Sequence, residues 1–336
     1  MLTKRALCVT LVLLACGKRS DDQPATPELA NPPVARKSVE QAKPKSAERP
    51  LPDPKLVERG AYLAKAAGCA ACHTPLGAKG PDFDRVFAGG LEMPDKLGTW
   101  RTPNITPDKS SGIGAWTDEQ IAAAIRDGVR PDGTGVYAIM PFASYARMTD
   151  ADVKALVAFL RTVKPVANVV APNKDLKMMK GPDPHGDEAK QARASGDNVS
   201  DDPIKRGGYL AALMLCAHCH FTPGKDFAPA GPDKMFSGGL PMELPMFGKG
   251  TLFARNITSD PETGIGKWSD AQLVAAIKMM TKPDGSLIRG PMLFLQPGWS
   301  QLDDRDLHAV AAYIRQLPPV RNKVPASTFQ PNAPPH

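Results

Sequence analysis

Hydrophobic residues in this chain recur at helical spacing only over short stretches, with long unpatterned segments between them. Residues 55–67 bring Leu56, Tyr62 and Leu63 toward one face and polar residues to the other, the signature of an amphipathic helix. A second helix is predicted over 117–127, opened by Thr117 as N-cap and by Asp118 and Glu119 in the first turn, where carboxylates meet the positive end of the helix dipole. A third is predicted over 149–163, with Thr149 at its start and Val153, Leu156, Val157 and Leu160 on one face. Strand-like alternation is almost absent. Gly-, Pro- and Asn-rich loops fill the remainder. Loops of that length need something to pack against, and a buried cofactor would supply it.

The pattern occurs twice. Arg59-Gly60-Ala61-Tyr62-Leu63-Ala64 returns as Arg206-Gly207-Gly208-Tyr209-Leu210-Ala211, and Cys69-Ala-Ala-Cys72-His73 as Cys216-Ala-His-Cys219-His220. Phe87-Ala-Gly89-Gly90-Leu91, Asn104-Ile105-Thr106, Gly112-Ile-Gly114-Ala-Trp116 and Pro131-Asp132-Gly133 reappear in order from Phe236, Asn256, Gly264 and Pro283. Met140 and Met292 close the series, each ahead of an amphipathic helix. The offset drifts only from 147 at the cysteines to 152 at the methionines. A duplicated domain has this form; a short-period solenoid does not. The expected organisation is an all-α chain of two tandem domains, 54–165 and 203–320, with a linker at 166–202 and a tail at 321–336.

Composition locates the unfolded parts. The chain has 336 residues and 35 prolines, well above the usual ~5%, concentrated at 24–54, between Pro165 and Pro203, and after Pro318. The first fifteen residues carry Lys4 and Arg5 and then a short apolar run over 6–15, an export signal rather than a spanning helix. The run ends Leu13-Leu14-Ala15-Cys16, which resembles a bacterial lipobox and implies cleavage before Cys16 and lipid attachment to it. Residues 16–53 lack the aromatic and β-branched content that folding requires. As a flexible tether they would reach ~35 Å. The net charge of +7 is spread thinly, and no Lys/Arg block marks a nucleic-acid partner.

Six cysteines are present, and Cys69, Cys72, Cys216 and Cys219 form two Cys-x-x-Cys-His motifs. That is the attachment sequence of c-type haem. Two thiols on one turn reach the two vinyl groups of a porphyrin, and the adjacent histidine lies under the iron. Zinc would need a second ligand pair within each repeat, and a redox dithiol leaves His73 and His220 unexplained. Thioether ligation opposite histidine suits electron transfer, which makes Met140 and Met292 the candidate sixth ligands. Met93 and Met242, each three residues after a Gly-Gly pair, are the rivals, and any of the four could be a core methionine. His218 and His308 read as surface residues.

Each half resembles a class I cytochrome c domain, and both are similar to the haem domains of cytochrome subunits of bacterial membrane-bound alcohol and gluconate dehydrogenases and of free-standing dihaem relatives. RGAYLA…CAACH, NITPDKSSGIGAWTDEQ and MPFASYARMTDADVKALVAFL carry the resemblance in the first half, RGGYLA…CAHCH, NITSDPETGIGKWSD and GPM with AVAAYIRQL in the second. It implies two covalent haems, with His73 and His220 proximal, Met140 and Met292 distal, and Asn104 and Asn256 in the segment beside the propionates. It further implies electron transfer with a dehydrogenase, oxidase or reductase at the outer side of a membrane. Those dehydrogenase subunits usually carry three haems where this chain has two motifs. The competing readings are a dihaem enzyme, such as a peroxidase or thiosulfate-oxidising cytochrome, which needs an open iron position, and a non-redox binding module, which leaves the haem motifs without purpose.

Overall fold

A computed structural model of the chain describes residues 51–332 apart from 79, 96–97, 138, 174–198, 226–227 and 246–247. The expected export signal, Cys16 and nearly all of the tether lie outside the described residues. In the first half, α1 (Pro54–Ala66) leads into the one-turn α2 (Cys69–His73), followed by α3 (Asp118–Arg126), α4 (Phe142–Tyr145) and α5 (Asp150–Thr162). The second half runs α6 (Pro203–Leu213), α7 (Cys216–Cys219), α8 (Asp270–Lys278), α9 (Met292–Trp299) and α10 (Asp304–Arg315).

The helix limits follow from their caps. Thr117 accepts from the Gln120 amide while the Gln120 side chain returns to the Thr117 amide, a capping box that recurs at Ser269 and Gln272. Thr149 accepts from the Asp152 amide to start α5. Asp53 and Asp202 cap α1 and α6, each followed by proline at the first helical position. Within α9, Pro297 cannot donate to the preceding turn, so this helix is short.

Where the sequence shows almost no strand, four short antiparallel ribbons occur among the described residues. β1 (Leu76–Gly77) pairs with β2 (Gly80–Pro81), and β3 (Glu92–Asp95) with β4 (Gly98–Arg101). β5 (Pro241–Glu243) pairs with β7 (Thr251–Phe253), and β6 (Gly248–Lys249) with β8 (Gln330–Pro331). Ribbons of two to four residues lack the length for period-two patterning to register. The last of them involves the segment read as a tail. Residues 325–331 also lie along β7, with Ser327 and Thr328 accepting from the Phe253 and Thr251 amides. Similarly, the chain stays packed beyond Pro165. Asn173 accepts from the Arg101 amide and donates to its carbonyl, both at under 3 Å (2.8 and 2.9 Å).

In each half the first helix packs along the last, α1 on α5 and α6 on α10. One core gathers Leu63, Ile121, Ile125, Met148, Val153 and Leu156, and the other gathers Leu210, Ile265, Leu273, Leu307 and Val310. Burying each of these large side chains contributes about 1.5–3 kcal/mol. The two cores exchange members. Leu213 of α6 lies in the first and Ala66 of α1 in the second, and the described residues of both halves belong to one compact unit.

Glycine sets the approach of the paired helices. A Cβ on Gly60 would lie 2.0 Å from the Ala155 carbonyl oxygen, and one on Gly207 would lie 1.9 Å from that of Ala309. The obstruction is backbone and cannot rotate away. Gly60→Ala is expected to destabilise the haem-loaded protein by about 3 kcal/mol, the upper end for forcing volume into a packed interior; chemical denaturation checks it, and a loss within experimental error of zero would contradict the helix packing described.

Candidate haem sites

Each Cys-x-x-Cys-His segment starts at a residue with left-handed backbone, Gly68 (φ 67°) or Leu215 (φ 62°). That turn ends the long first helix and restarts the chain as a single helical turn. None of the four cysteines of the two motifs is joined in a disulfide. Burial pushes the Cys69 and Cys216 thiols up to about 12, with the second cysteine of each motif adding to the rise, and pushes Cys219 up to about 11.

The histidines carry the decisive geometry. His73 donates from Nδ1 to the Pro103 carbonyl at 2.8 Å, and His220 donates from Nδ1 to the Arg255 carbonyl at 2.7 Å. A carbonyl can only accept, so Nδ1 carries the proton and Nε2 keeps its lone pair for a metal. Burial lowers the pKa of both rings against the opposing effect of the carbonyl, which keeps them neutral.

The repeated Gly-Gly motif builds the wall behind each histidine. Gly89 donates to the His73 carbonyl at 2.7 Å, and Gly238 to the His220 carbonyl at 2.9 Å. Gly89 has φ 69°, and a Cβ there would lie 2.4 Å from the Pro103 carbonyl carbon. Only glycine lets the chain touch both the histidine backbone and the carbonyl that orients its ring. Phe87 and Phe236 also take positive φ, and their rings meet Phe159 and Tyr313 edge-on. The sequence displays this motif twice without revealing its purpose, because the contacts of Gly89 and Gly238 lie 14 or more residues away in the chain.

Asn104 and Asn256 are buried beside the orienting carbonyls. Asn104 accepts from the amide and hydroxyl of Thr106 and donates to Val166 and Ser111. Asn256 repeats this with Thr258, Val320 and Thr263. Their side chains bond to the protein and tie the histidine-orienting loop to the irregular segment that follows the last helix. Asn168 and Asn322 close the same loops by donating to carbonyls around Gly89 and Gly238. This second asparagine pair belongs to a further repeat, Pro165-Val166-Ala167-Asn168 and Pro319-Val320-Arg321-Asn322, which the sequence reading passed over.

Met140 lies in the turn before α4 and packs against the first core; Met292 opens α9 and packs against the second. Met93 and Met242 are strand residues opposite Trp100 and Leu252. His218 and His308 are exposed. Among the described residues, no three Cys, His, Asp or Glu side chains converge as a zinc site would require, and no helix is long and apolar enough to cross a membrane.

The paired cysteines outside any disulfide, the histidines oriented through Nδ1 and the buried Thr74 hydroxyl beside His73, which has no hydrogen-bond partner, all fit a covalently attached haem. Comparison with known proteins agrees. The cytochrome c family model matches residues 57–164. A diheme cytochrome c-type protein of Cereibacter sphaeroides is 30% identical over 276 residues, covering 78% of this chain and 86% of the relative. The chain belongs to the cytochrome c family. This cytochrome is also 34% identical over 310 residues to the cytochrome c subunit of the alcohol dehydrogenase (quinone) of Gluconacetobacter polyoxogenes, covering 85% of the chain and 61% of the relative. It is 35% identical over 327 residues to the fructose dehydrogenase cytochrome subunit of Gluconobacter japonicus, covering 93% and 59%. The chain spans about three fifths of the length of these two dehydrogenase relatives. As a cytochrome c it carries covalent haem c.

Gly89→Ala is expected to displace the Pro103 carbonyl and release the His73 ring. In the purified variant, first-site histidine ligation should be lost while the second site keeps its spectrum; a native spectrum at both sites would contradict the assigned role of the glycine.

Proposed function

We propose that this chain is a dihaem c-type electron carrier, tethered by a lipidated Cys16 to the outer side of a bacterial membrane. The observation that supports it best is the twice-built histidine clamp, in which both Nδ1 atoms are held by backbone carbonyls next to a pair of cysteines outside any disulfide. In this reading Cys69 and Cys72 hold one haem as thioethers, and Cys216 and Cys219 hold the other. His73 and His220 are the proximal ligands, and Met140 and Met292 the distal ones. The iron supplies a one-electron couple when the haem is bound. The protein's part would be to hold each iron with a histidine and a methionine, His73 with Met140 and His220 with Met292, which would leave no place for a substrate and would suit outer-sphere transfer.

Packing of Met140 and Met292 against the two cores supports them over Met93 and Met242, because a ligand that must meet a buried iron needs a rigid seat. The two tandem haem units extend past the limits suggested by sequence, the first to Asn173 and the second to β8. The relatives named as dehydrogenase cytochrome subunits make a dehydrogenase the favoured donor. A proximal histidine hydrogen-bonded to a neutral carbonyl, with methionine opposite, favours a high potential.

Matured in a host that assembles c-type cytochromes, the protein should carry two haems by intact mass, and Cys69→Ala with Cys72→Ala should leave one. Loss of both haems from that variant would contradict independent attachment. Met140→Ala and Met292→Ala should each remove part of the long-wavelength methionine–iron band and lower one midpoint potential; an unchanged band in either variant would transfer the ligand role to Met93 or Met242. Cys16→Ala should move the protein from the membrane fraction to the soluble one, and continued sedimentation with membranes would contradict the lipid anchor.

A further inference from the structure

The Arg-Gly-x-Tyr repeat does two jobs in opposite directions. Arg59 binds Asp152 of its own half through two bonds at 2.8 Å, and Arg206 binds Asp306 of its own half in the same bidentate way. The tyrosines leave their halves. Tyr62 of α1 donates to Asp306 at 2.5 Å and accepts from the Asp303 amide at 3.3 Å. Tyr209 of α6 donates to Asp152 at 2.6 Å and accepts from the Thr149 amide at 3.4 Å. Each carboxylate therefore joins an arginine from its own half to a phenol from the other. Burial, and then contact with the carboxylate, push both phenols up, so the proton stays on the tyrosine.

The receiving residues have a shared position. Thr149 and Asp303 are the N-caps of α5 and α10. They end the segments that begin at Met140 and Met292. Each tyrosine thus pins the far end of the opposite half's methionine segment.

Packing along those segments runs the same way. Trp299 at the end of α9 donates to the Ala66 carbonyl at 3.0 Å, capping α1 across the seam. A Cβ on Gly298 would lie 2.6 Å from the Lys65 carbonyl oxygen, and one on Gly68 would lie 2.3 Å from Leu295. Helix α9, which starts at Met292, therefore rests on the turn immediately before Cys69. In the other direction Leu213 and Leu215, just before Cys216, pack into the core that holds Met140, Tyr145 and Met148. The leucine that fills the seam stands on the attachment side in one direction and on the methionine side in the other.

We infer that Tyr62 and Tyr209 are positioning residues acting across the seam: the first helix of each half seats the distal methionine of the other. The two sites are then reciprocal parts of one device. Each half supplies its own ligands but depends on the other half to seat its methionine. This inference rests on the methionine ligation proposed above. The tyrosine hydroxyls suit a test, because phenylalanine keeps the ring in place and leaves each Arg–Asp pair intact.

The experiment uses the haem-loaded full chain in two marked backgrounds. Met292→His removes the second site's methionine–iron band and leaves the first site's. Met140→His does the reverse. Tyr209→Phe in the Met292→His background should weaken the remaining band and bring its loss to a lower temperature, whereas Tyr62→Phe should leave it unchanged. The Met140→His background should show the opposite pattern. General destabilisation would affect both backgrounds alike, so equal loss from either variant, loss on the same half as the tyrosine, or no loss at all would overturn the inference. Absence of the band from the unsubstituted protein would instead overturn the methionine ligation itself, and with it this proposal.

Discussion

Two hydrogen bonds from imidazole to backbone carbonyl hold the rest of the structure to its purpose. A histidine in an apolar pocket cannot leave Nδ1–H unsatisfied without losing about 1–3 kcal/mol. His73 and His220 satisfy it at Pro103 and Arg255 and so free Nε2. Those carbonyls must themselves be fixed, and their neighbours are arranged to do so. The Gly-Gly pair closes on them from one side, while Asn104 or Asn256 locks the next peptide from the other. Much of what lies between the cysteines and the third helix of each half serves to hold one oxygen atom in place.

Around that constraint, two copies of one plan have become a single body. The Arg–Asp pairs close each half upon itself, and the Tyr–Asp bonds close each half upon the other through the same carboxylates. Asp152 and Asp306 are buried, and each receives three hydrogen bonds. A buried charge so fully satisfied is costly to strip of a partner, and such networks serve registry better than net stability. The copies differ in their ribbons, β1 and β2 belonging to the first half and β6 and β8 to the second, and again in the methionine segments. The second is longer by two residues before its final helix and forms α9 in place of the four-residue α4.

How much of this the sequence disclosed depends on distance along the chain. Helices α1, α3 and α5 were legible to within a residue or two, because Thr117, Thr149 and the apolar faces act locally. The two Cys-x-x-Cys-His motifs were visible because their residues are contiguous in the chain. Short ribbons carry no period, and α9 contains a proline, so both escaped. The Phe-x-Gly-Gly motif was visible as a repeat but silent as to meaning, since its partner is a carbonyl on another loop. Resemblance sets Asn104 and Asn256 in the segment beside the propionates, but the bonds their side chains make to Thr106 and Val166, and to Thr258 and Val320, join residues too far apart or too unpatterned to be read from sequence. The seam was out of reach altogether. Tyr62 and Asp306 stand 244 positions apart, and nothing local distinguishes a tyrosine that crosses between halves from one that stays at home.

The central claim is that both irons are gripped from two sides and exchange only electrons. A potentiometric titration of the purified, lipid-free protein, followed optically with a parallel spin-state measurement of the oxidised form, addresses it most directly. The account predicts two one-electron waves and two low-spin ferric signals that do not change when cyanide or peroxide is added briefly. A high-spin signal with rapid ligand binding at either site would contradict it and return the protein to the enzymes.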